Sequence, residues 1–277
     1  MLRSYFIRTI APSVVVTVLG FLLAYQFVDP APPKTITIGA GDTQGAYFLF
    51  GNQYHDYLKK EGVELIVRPT AGSVDNLELL SAEPALLDTA FVQGGTQTDA
   101  DAKGLFSLGS LYYEPLWVFF RGSKPIQRIT ELEEKRVAIG PDGSGTQKLV
   151  MQVLSVNGLD ERNTRLLPLG TQEAIDSLLA GSVDTIFMVA SARSPGVKQL
   201  LSTPDIHLMN FARADAYTRN LRFLSTVILP EGAIDLEKNI PQKDTTMLAA
   251  TANLVVREEL HPALVDLLLQ ACTVSAR

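Results

Sequence analysis

Cysteine is almost absent: Cys272 is the only one in 277 residues, so no intramolecular disulfide can brace the fold and packing must do so. Histidine is scarce too. His55, His207 and His261 are scattered, and no Cys/His spacing suits a metal site. His55 reads as a helix-surface residue, and His261, just before Pro262, as part of a helix start. Basic charge is in deficit, with 24 Lys+Arg against 30 Asp+Glu and a net charge of -6. That disfavours nucleic acid, which wants a basic face, and any site for an anion must be local.

Complete catalytic signatures are missing as well. Gly39 to Tyr47 (GAGDTQGAY) nearly matches the dinucleotide fingerprint, but three residues rather than two separate Gly41 from Gly45. Gly140 to Gln147 (GPDGSGTQ) has the glycine frame of a phosphate loop, yet Thr146 and Gln147 stand where Lys and Ser/Thr belong. Neither Ser73 nor Ser144 lies in G-x-S-x-G, because Ala71 and Asp142 occupy the position two before. The acidic pairs Glu133-Glu134 and Glu258-Glu259 fall in polar helical stretches and read as solvated faces. The chain is expected to be no enzyme and to need no cofactor or metal.

One long apolar run is present, Ile10 to Val28, about as long as the roughly 20 residues that span a bilayer as a helix. Arg3 and Arg8 precede it and Asp29 follows it, so positive-inside bias leaves residues 1–9 in the cytoplasm and exports the rest. A cleaved signal peptide is the alternative. Its apolar core would be shorter and would end at a small-residue site, whereas Tyr25, Gln26, Phe27 and Val28 offer none. Residues 29–34 (DPAPPK) read as a stiff polyproline spacer. The expected location is the periplasmic face of the inner membrane, with the chain anchored by its N-terminal helix.

Beyond the spacer, short β-type runs alternate with helical stretches, the pattern of βαβ units and a mainly parallel sheet. Strands are expected at Thr35–Gly39, Glu64–Arg68, Asp88–Val92, Arg136–Gly140 and Thr185–Val189. Helices are expected at Ala46–Lys60, Val74–Ser81, Gln147–Val156 and Thr171–Ala180. The apolar, aromatic stretch Leu105–Arg121 suits strands leaving one lobe, and Leu224–Leu229 with Met247–Val256 suits a return to it. The fold class is α/β, with two lobes joined by crossing strands: residues 35–121 form lobe 1, residues 122–224 lobe 2, and residues 225–277 return to lobe 1.

Three strand-to-helix loops stand out: Gly39–Tyr47, Thr70–Leu77 (TAGSVDNL) and Gly140–Gln147. Each is rich in small and hydroxyl residues and precedes a helix, where free N–H groups can converge on an anion. In open α/β sheets, ligands bind outside the carboxyl ends of the strands. Taken alone, Ser144 is as well explained as a helix cap. Tyr112, Tyr113 and Trp117 fit core packing, and one of them could wall a binding cleft.

These loops resemble the TAXI (TRAP-associated extracytoplasmic immunogenic) solute receptors of tripartite ATP-independent periplasmic transporters. The markers are Ile38-Gly39-Ala40-Gly41 through Gly45-Ala46-Tyr47, then Gly72-Ser73-Val74-Asp75-Asn76-Leu77, then Lys135–Gly140 with Gly143–Thr146, and the leucine-rich helix ending at Gly181-Ser182-Val183-Asp184. The resemblance implies a two-lobed receptor delivering a small organic acid or amino acid to TRAP-type permease subunits driven by an ion gradient. Ligand-binding candidates in the first loop are Thr43, Gly45, Ala46 and Tyr47, and in the second Gly72, Ser73, Val74 and Asn76. The third loop adds Ser144, Gly145 and Thr146; Gln93, Trp117 and Met188 complete the set. A membrane-tethered sensory or assembly module without a transport role remains the alternative.

Overall fold

The structure is a computed structural model that describes residues 11–25, 31–43, 45–97, 103–122 and 124–275. It divides into two compact units, Met1–Pro33 and Lys34–Arg277. The first contains helix α1 (Ala11–Tyr25), with no acidic residue in its first turn and no basic residue in its last. Its large apolar side chains, including Val16 and Phe21, are exposed. No helix among the described residues is long and apolar enough to cross a membrane. Positions 1–10 and 26–30, which hold the rest of the expected span and its flanks, lie outside the described residues.

The second unit opens with β1 (Thr35–Gly39), α2 (Ala46–Lys60), β2 (Glu64–Arg68), α3 (Ser73–Ser81) and β3 (Thr89–Gln93). A single long strand follows, β4 (Leu105–Arg121), of 17 residues. Then come β5 (Arg136–Ala138), α4 (Gly145–Ser155), β6 (Arg165–Leu167), α5 (Thr171–Ala180) and β7 (Thr185–Val189). The chain closes with α6 (Pro195–Leu201), β8 (Ile206–Leu208), α7 (Ala214–Asn220), β9 (Ser225–Leu229), β10 (Thr245–Arg257) and α8 (Pro262–Ser275). The periodicity places most of these correctly. It misses β6, α6, β8 and α7, which are three to seven residues long, too short to express a period.

The strands form one mixed sheet in the order β2-β1-β3-β10-β4-β7-β5-β6, with β9 on β10 and β8 on β4. Two parallel triplets, β2-β1-β3 and β7-β5-β6, flank the antiparallel pair β10-β4. Each triplet has a strand-loop-helix unit at its centre, β1 to α2 in one and β5 to α4 in the other. Because β4 pairs with β10 along Leu105–Leu116 and with β7 along Leu116–Phe120, one strand threads both halves.

Helices cover both faces, which explains why β3 is buried at all five positions and β7 at four of five: a parallel strand between two helical layers has no polar side. On one face, Tyr54 and Leu58 of α2 and Leu264 and Leu268 of α8 pack on Ile36, Ile38, Phe91 and Leu254. On the other, Leu77 and Leu80 of α3 pack on Ala90, Val92 and Val255. The second half repeats the arrangement. Leu149, Val150 and Val153 of α4 meet Leu116, Val118 and Phe187, while Ile175 and Leu178 of α5 meet Trp117, Ile186 and Met188. Burial of each such Leu or Ile is worth about 1.5–3 kcal/mol. The even-numbered residues of β4 therefore start in the α2 core, at Tyr112, and end in the α4 core, from Leu116 onward. Glu114 lies at the seam.

Candidate functional site

The second and third glycine-rich loops meet across this seam. Gly72 caps α3 with φ 132 and ψ -154, a conformation that costs glycine little and other residues much. A Cβ there would fall 3.1 Å from the Ser144 Cα, so only a glycine lets the two backbones approach this closely. The amides of Val74 and Asp75, in the first turn of α3, donate to the Gly143 carbonyl at 3.2 and 3.4 Å. The positive end of one helix is thus satisfied by a carbonyl from the opposite half. Farther along the junction, Gln152 Nε2 donates to the Gly95 carbonyl at 2.9 Å.

Behind this junction lies a buried polar cluster. Ser73, 1% exposed, accepts from the Gln93 amide at 2.9 Å. Tyr47 is held by stacking on Phe91, at a ring separation of 5.5 Å, and its hydroxyl donates to Glu114 Oε2 at 2.8 Å. Glu114 is 8% exposed. Burial pushes its carboxyl up to about 7, against the opposing pull of the Tyr47 hydrogen bond. Burial, then the nearby Glu114 charge, raise both Tyr47 and Tyr112 well above the usual phenol range, so both phenols stay neutral. Tyr112 stacks on Phe50 at 4.9 Å. Its buried hydroxyl has no hydrogen-bond partner, and neither does Gln93 Nε2.

The candidate residues fall into three groups. Tyr47, Gly72, Ser73, Val74, Gln93 and Gly145 come together around the seam: a Cβ on Gly145 would lie 2.4 Å from Gln93 Oε1 and 2.8 Å from the Ser73 hydroxyl, while Gly45 and Ala46 form the start of α2, and a Cβ on Gly45 would meet only Asp42. A second group is occupied locally. Asn76 donates to the Phe91 and Gly39 carbonyls at 2.8 and 3.3 Å and accepts from the Thr70 hydroxyl at 2.7 Å, so its amide bolts α3 to the sheet. Ser144 caps α4, accepting from the Gln147 amide at 3.1 Å and donating to the Pro141 carbonyl at 2.6 Å. Thr146 packs its methyl against Gly140, and Thr43 is exposed.

The third group is core. Trp117 is fully buried, stacked on Phe119 at 5.9 Å with its indole N–H on the Ala190 carbonyl at 2.8 Å. Met188 is its strand neighbour in the same cluster. Three residues from Glu114 along β4, Trp117 faces the opposite side of the sheet. Sequence reasoning missed Glu114 itself. The signal was there, since Glu114 is the only charged residue between Leu105 and Phe120.

His55 and His261 are structural, as expected: His55 Nδ1 bonds the Leu65 carbonyl at 2.8 Å, and His261 Nδ1 accepts from the Ala263 amide at the start of α8, at 3.1 Å. No group of His, Cys, Asp and Glu among the described residues could hold a metal ion. A surface hollow of about 270 Å³ lies elsewhere, lined by Phe211, Ala212, Ala214, Asp215, Thr226, Ile228 and Thr246, and none of the candidate residues touches it.

The architecture is that of periplasmic binding proteins. The alkanesulfonate-binding protein SsuA from Xanthomonas axonopodis pv. citri bound to MOPS is 16% identical, with a TM-score of 0.56 over 89% of this chain and 74% of that one. The amino acid ABC transporter substrate-binding protein AbpA from Streptococcus pneumoniae Canada MDR_19A bound to L-arginine is 14% identical, with a TM-score of 0.54 over 87% and 88%. An ancestral arginine-binding protein bound to arginine gives 15% and 0.54 over 87% and 92%. At these identities the likeness is one of fold. Family membership comes from the sequence: the chain belongs to the NMT1-like family, whose model matches residues 38–273.

Proposed function

We propose that the protein is an extracytoplasmic solute receptor that closes around a small carboxylate-bearing metabolite and passes it on unaltered. The observation that carries this reading is the Gly143 carbonyl held by the Val74 and Asp75 amides. An acceptor oxygen from one half sits on the helix terminus of the other, and a ligand carboxylate can replace it with a stronger, charge-assisted contact. The proteins of like fold whose ligands are named hold MOPS, arginine or glutamine, small solutes with charged groups. That supports capture rather than chemistry.

In this reading the lobes are residues 35–121 with 225–277, and residues 122–224. They hinge about β4 and β10, the strands shared between the halves, and hinge closure traps the ligand. Residues 10–28 anchor the receptor at the periplasmic face of the membrane, and the partner is a TRAP-type permease, as the TAXI-like loops suggest.

The test uses the full-length protein in detergent, with isothermal titration and thermal unfolding against a panel of organic acids and amino acids. A ligand at a hundred times its Kd should stabilise by about 2.7 kcal/mol, raising the Tm by ~5–10 °C in a chain of this size. Saturable one-to-one binding with full recovery of unchanged ligand is expected; a panel that binds nothing refutes the reading. Affinity capture from solubilised membranes then tests the partner. Co-isolation of ATP-binding-cassette subunits would reassign the transporter, and capture of a signalling subunit with no permease would favour the sensory module.

A further inference from the structure

The floor of the seam has a composition that a plain carboxylic acid does not explain. Across three strands, Gln93, Ala252 and Tyr112 stand in one row, and Ala250 and Glu114 stand opposite each other two residues along β10. Opposed residues project to the same face, as do residues two apart on one strand. Gln93, Tyr112 and Glu114 therefore share one face of the sheet with two buried alanines, whose short side chains add little bulk between them. Gly145, from the other half, lies close over Gln93 and Ser73.

The polar groups on this face are unfinished. Gln93, 3% exposed, has an amide nitrogen with no partner, and the buried Tyr112 hydroxyl has none either. Glu114 has one recorded hydrogen bond, from Tyr47. Buried carboxylates are ordinarily paired or met by several donors. Yet no Lys, Arg or His pairs with Glu114 among the described residues: their ion pairs are Arg136–Asp184, Arg162–Asp160, Lys238–Asp235 and Arg257–Glu259. Glutamine would accept the same Tyr47 hydrogen bond without the cost of burying a charge. A glutamate here has a use when a cation arrives from outside.

We infer that Glu114 receives a protonated amine of the ligand while the first turn of α3 receives its carboxylate, so that the solute is a small amino acid-type zwitterion rather than a plain mono- or dicarboxylic acid. This rests on the receptor reading above and narrows its ligand class. Ser73, the first residue of α3, accepts from the Gln93 amide, and Gln93 shares its row with Tyr112, two residues from Glu114. The helix terminus and the carboxylate thus border the same stretch of sheet, where the ammonium and carboxylate groups of one small molecule can both be met. The free Gln93 amide adds a donor beside the carboxylate. A dicarboxylate, by contrast, would bring a second negative charge against Glu114.

The experiment compares, on the full-length protein, each of the common L-amino acids with the same acid lacking its amino group: glutamate with glutarate, leucine with 4-methylpentanoate, and so on. At least one amino acid should bind, with its deaminated partner weaker by about tenfold or more. Glu114→Gln should shrink that ratio to about threefold or less, because it removes the charge and keeps the Tyr47 contact. Equal or tighter binding of the deaminated acids overturns the inference and leaves the receptor reading intact. An unchanged ratio in a folded Glu114→Gln protein overturns the assignment to Glu114. Binding of neither series overturns this inference, and the wider panel of organic acids then decides the receptor reading on its own. Should the variant fail to fold, the wild-type ratio still decides the ligand class.

Discussion

Neutralising Glu114 should stabilise the unliganded protein, and by an amount that depends on pH. The carboxyl has an ordinary value of 4.5 and is pushed up to about 7 in the fold, chiefly by burial. The folded state therefore holds its proton more tightly than the unfolded chain does. The resulting stability is fully present below pH 4.5 and is lost as the pH rises through about 7. A change of that size is worth about 3 kcal/mol, or ~6–12 °C of Tm for a chain of this length. Tyr47 and Tyr112, the titratable neighbours in the cluster, have phenols raised above their usual range and do not titrate in this window. Glu114→Gln is neutral at every pH, so subtracting its unfolding curve from the wild-type curve cancels the other carboxylates. Thermal and urea unfolding of both proteins from pH 4.5 to 8.5, without ligand, should show the variant gaining about 3 kcal/mol relative to wild type across that range. Parallel pH profiles would refute the reasoning, and would mean that the carboxylate is solvated or paired in solution.

Three further outcomes follow from individual contacts. Asn76→Ala leaves the Phe91 and Gly39 carbonyls and the Thr70 hydroxyl without the partner they have now and should cost about 3 kcal/mol in urea unfolding; a loss under about 1 kcal/mol would show that water replaces the amide. Gly145→Ala places a methyl 2.4 Å from Gln93 Oε1, so the halves should part. Small-angle scattering should report a larger radius of gyration, and ligand affinity should fall by about tenfold, while an unchanged radius would mean that Gln93 simply swings aside. Trp117→Ala empties a fully buried site and removes the bond to Ala190. A cost of about 3–5 kcal/mol is expected by chemical denaturation, and a much smaller value would place the indole outside the core.

Much of the fold was legible because helices and buried strands write their own periods. Ala174, Ile175 and Leu178 mark the inner face of α5, and the apolar run Thr185–Val189 marks a strand covered on both sides. The three glycine-rich loops were legible as well, since tight strand-to-helix turns restrict which residues can occupy them. Roles within the loops were harder to read. A serine before a helix looks the same whether it caps the helix, as Ser144 does, or projects into the seam, as Ser73 does. Trp117 illustrates another limit: an aromatic on a crossing strand can face either side, and register alone decides which.

From its sequence, then, the chain fixes an α/β architecture with no disulfide, no metal cluster among His and Cys, and no complete nucleotide or hydrolase motif, because each of these depends on residue type and local spacing. It also fixes which loops can approach a ligand closely. Tertiary structure decides what those loops face. The meeting of α3 with the Gly143 carbonyl, the row Gln93–Ala252–Tyr112, and the isolation of Glu114 beneath Tyr47 all join residues far apart in the chain, through sheet order and strand register. One carboxylate in an apolar strand is an oddity in the sequence; desolvation at the seam turns it into the most consequential charge in the candidate site.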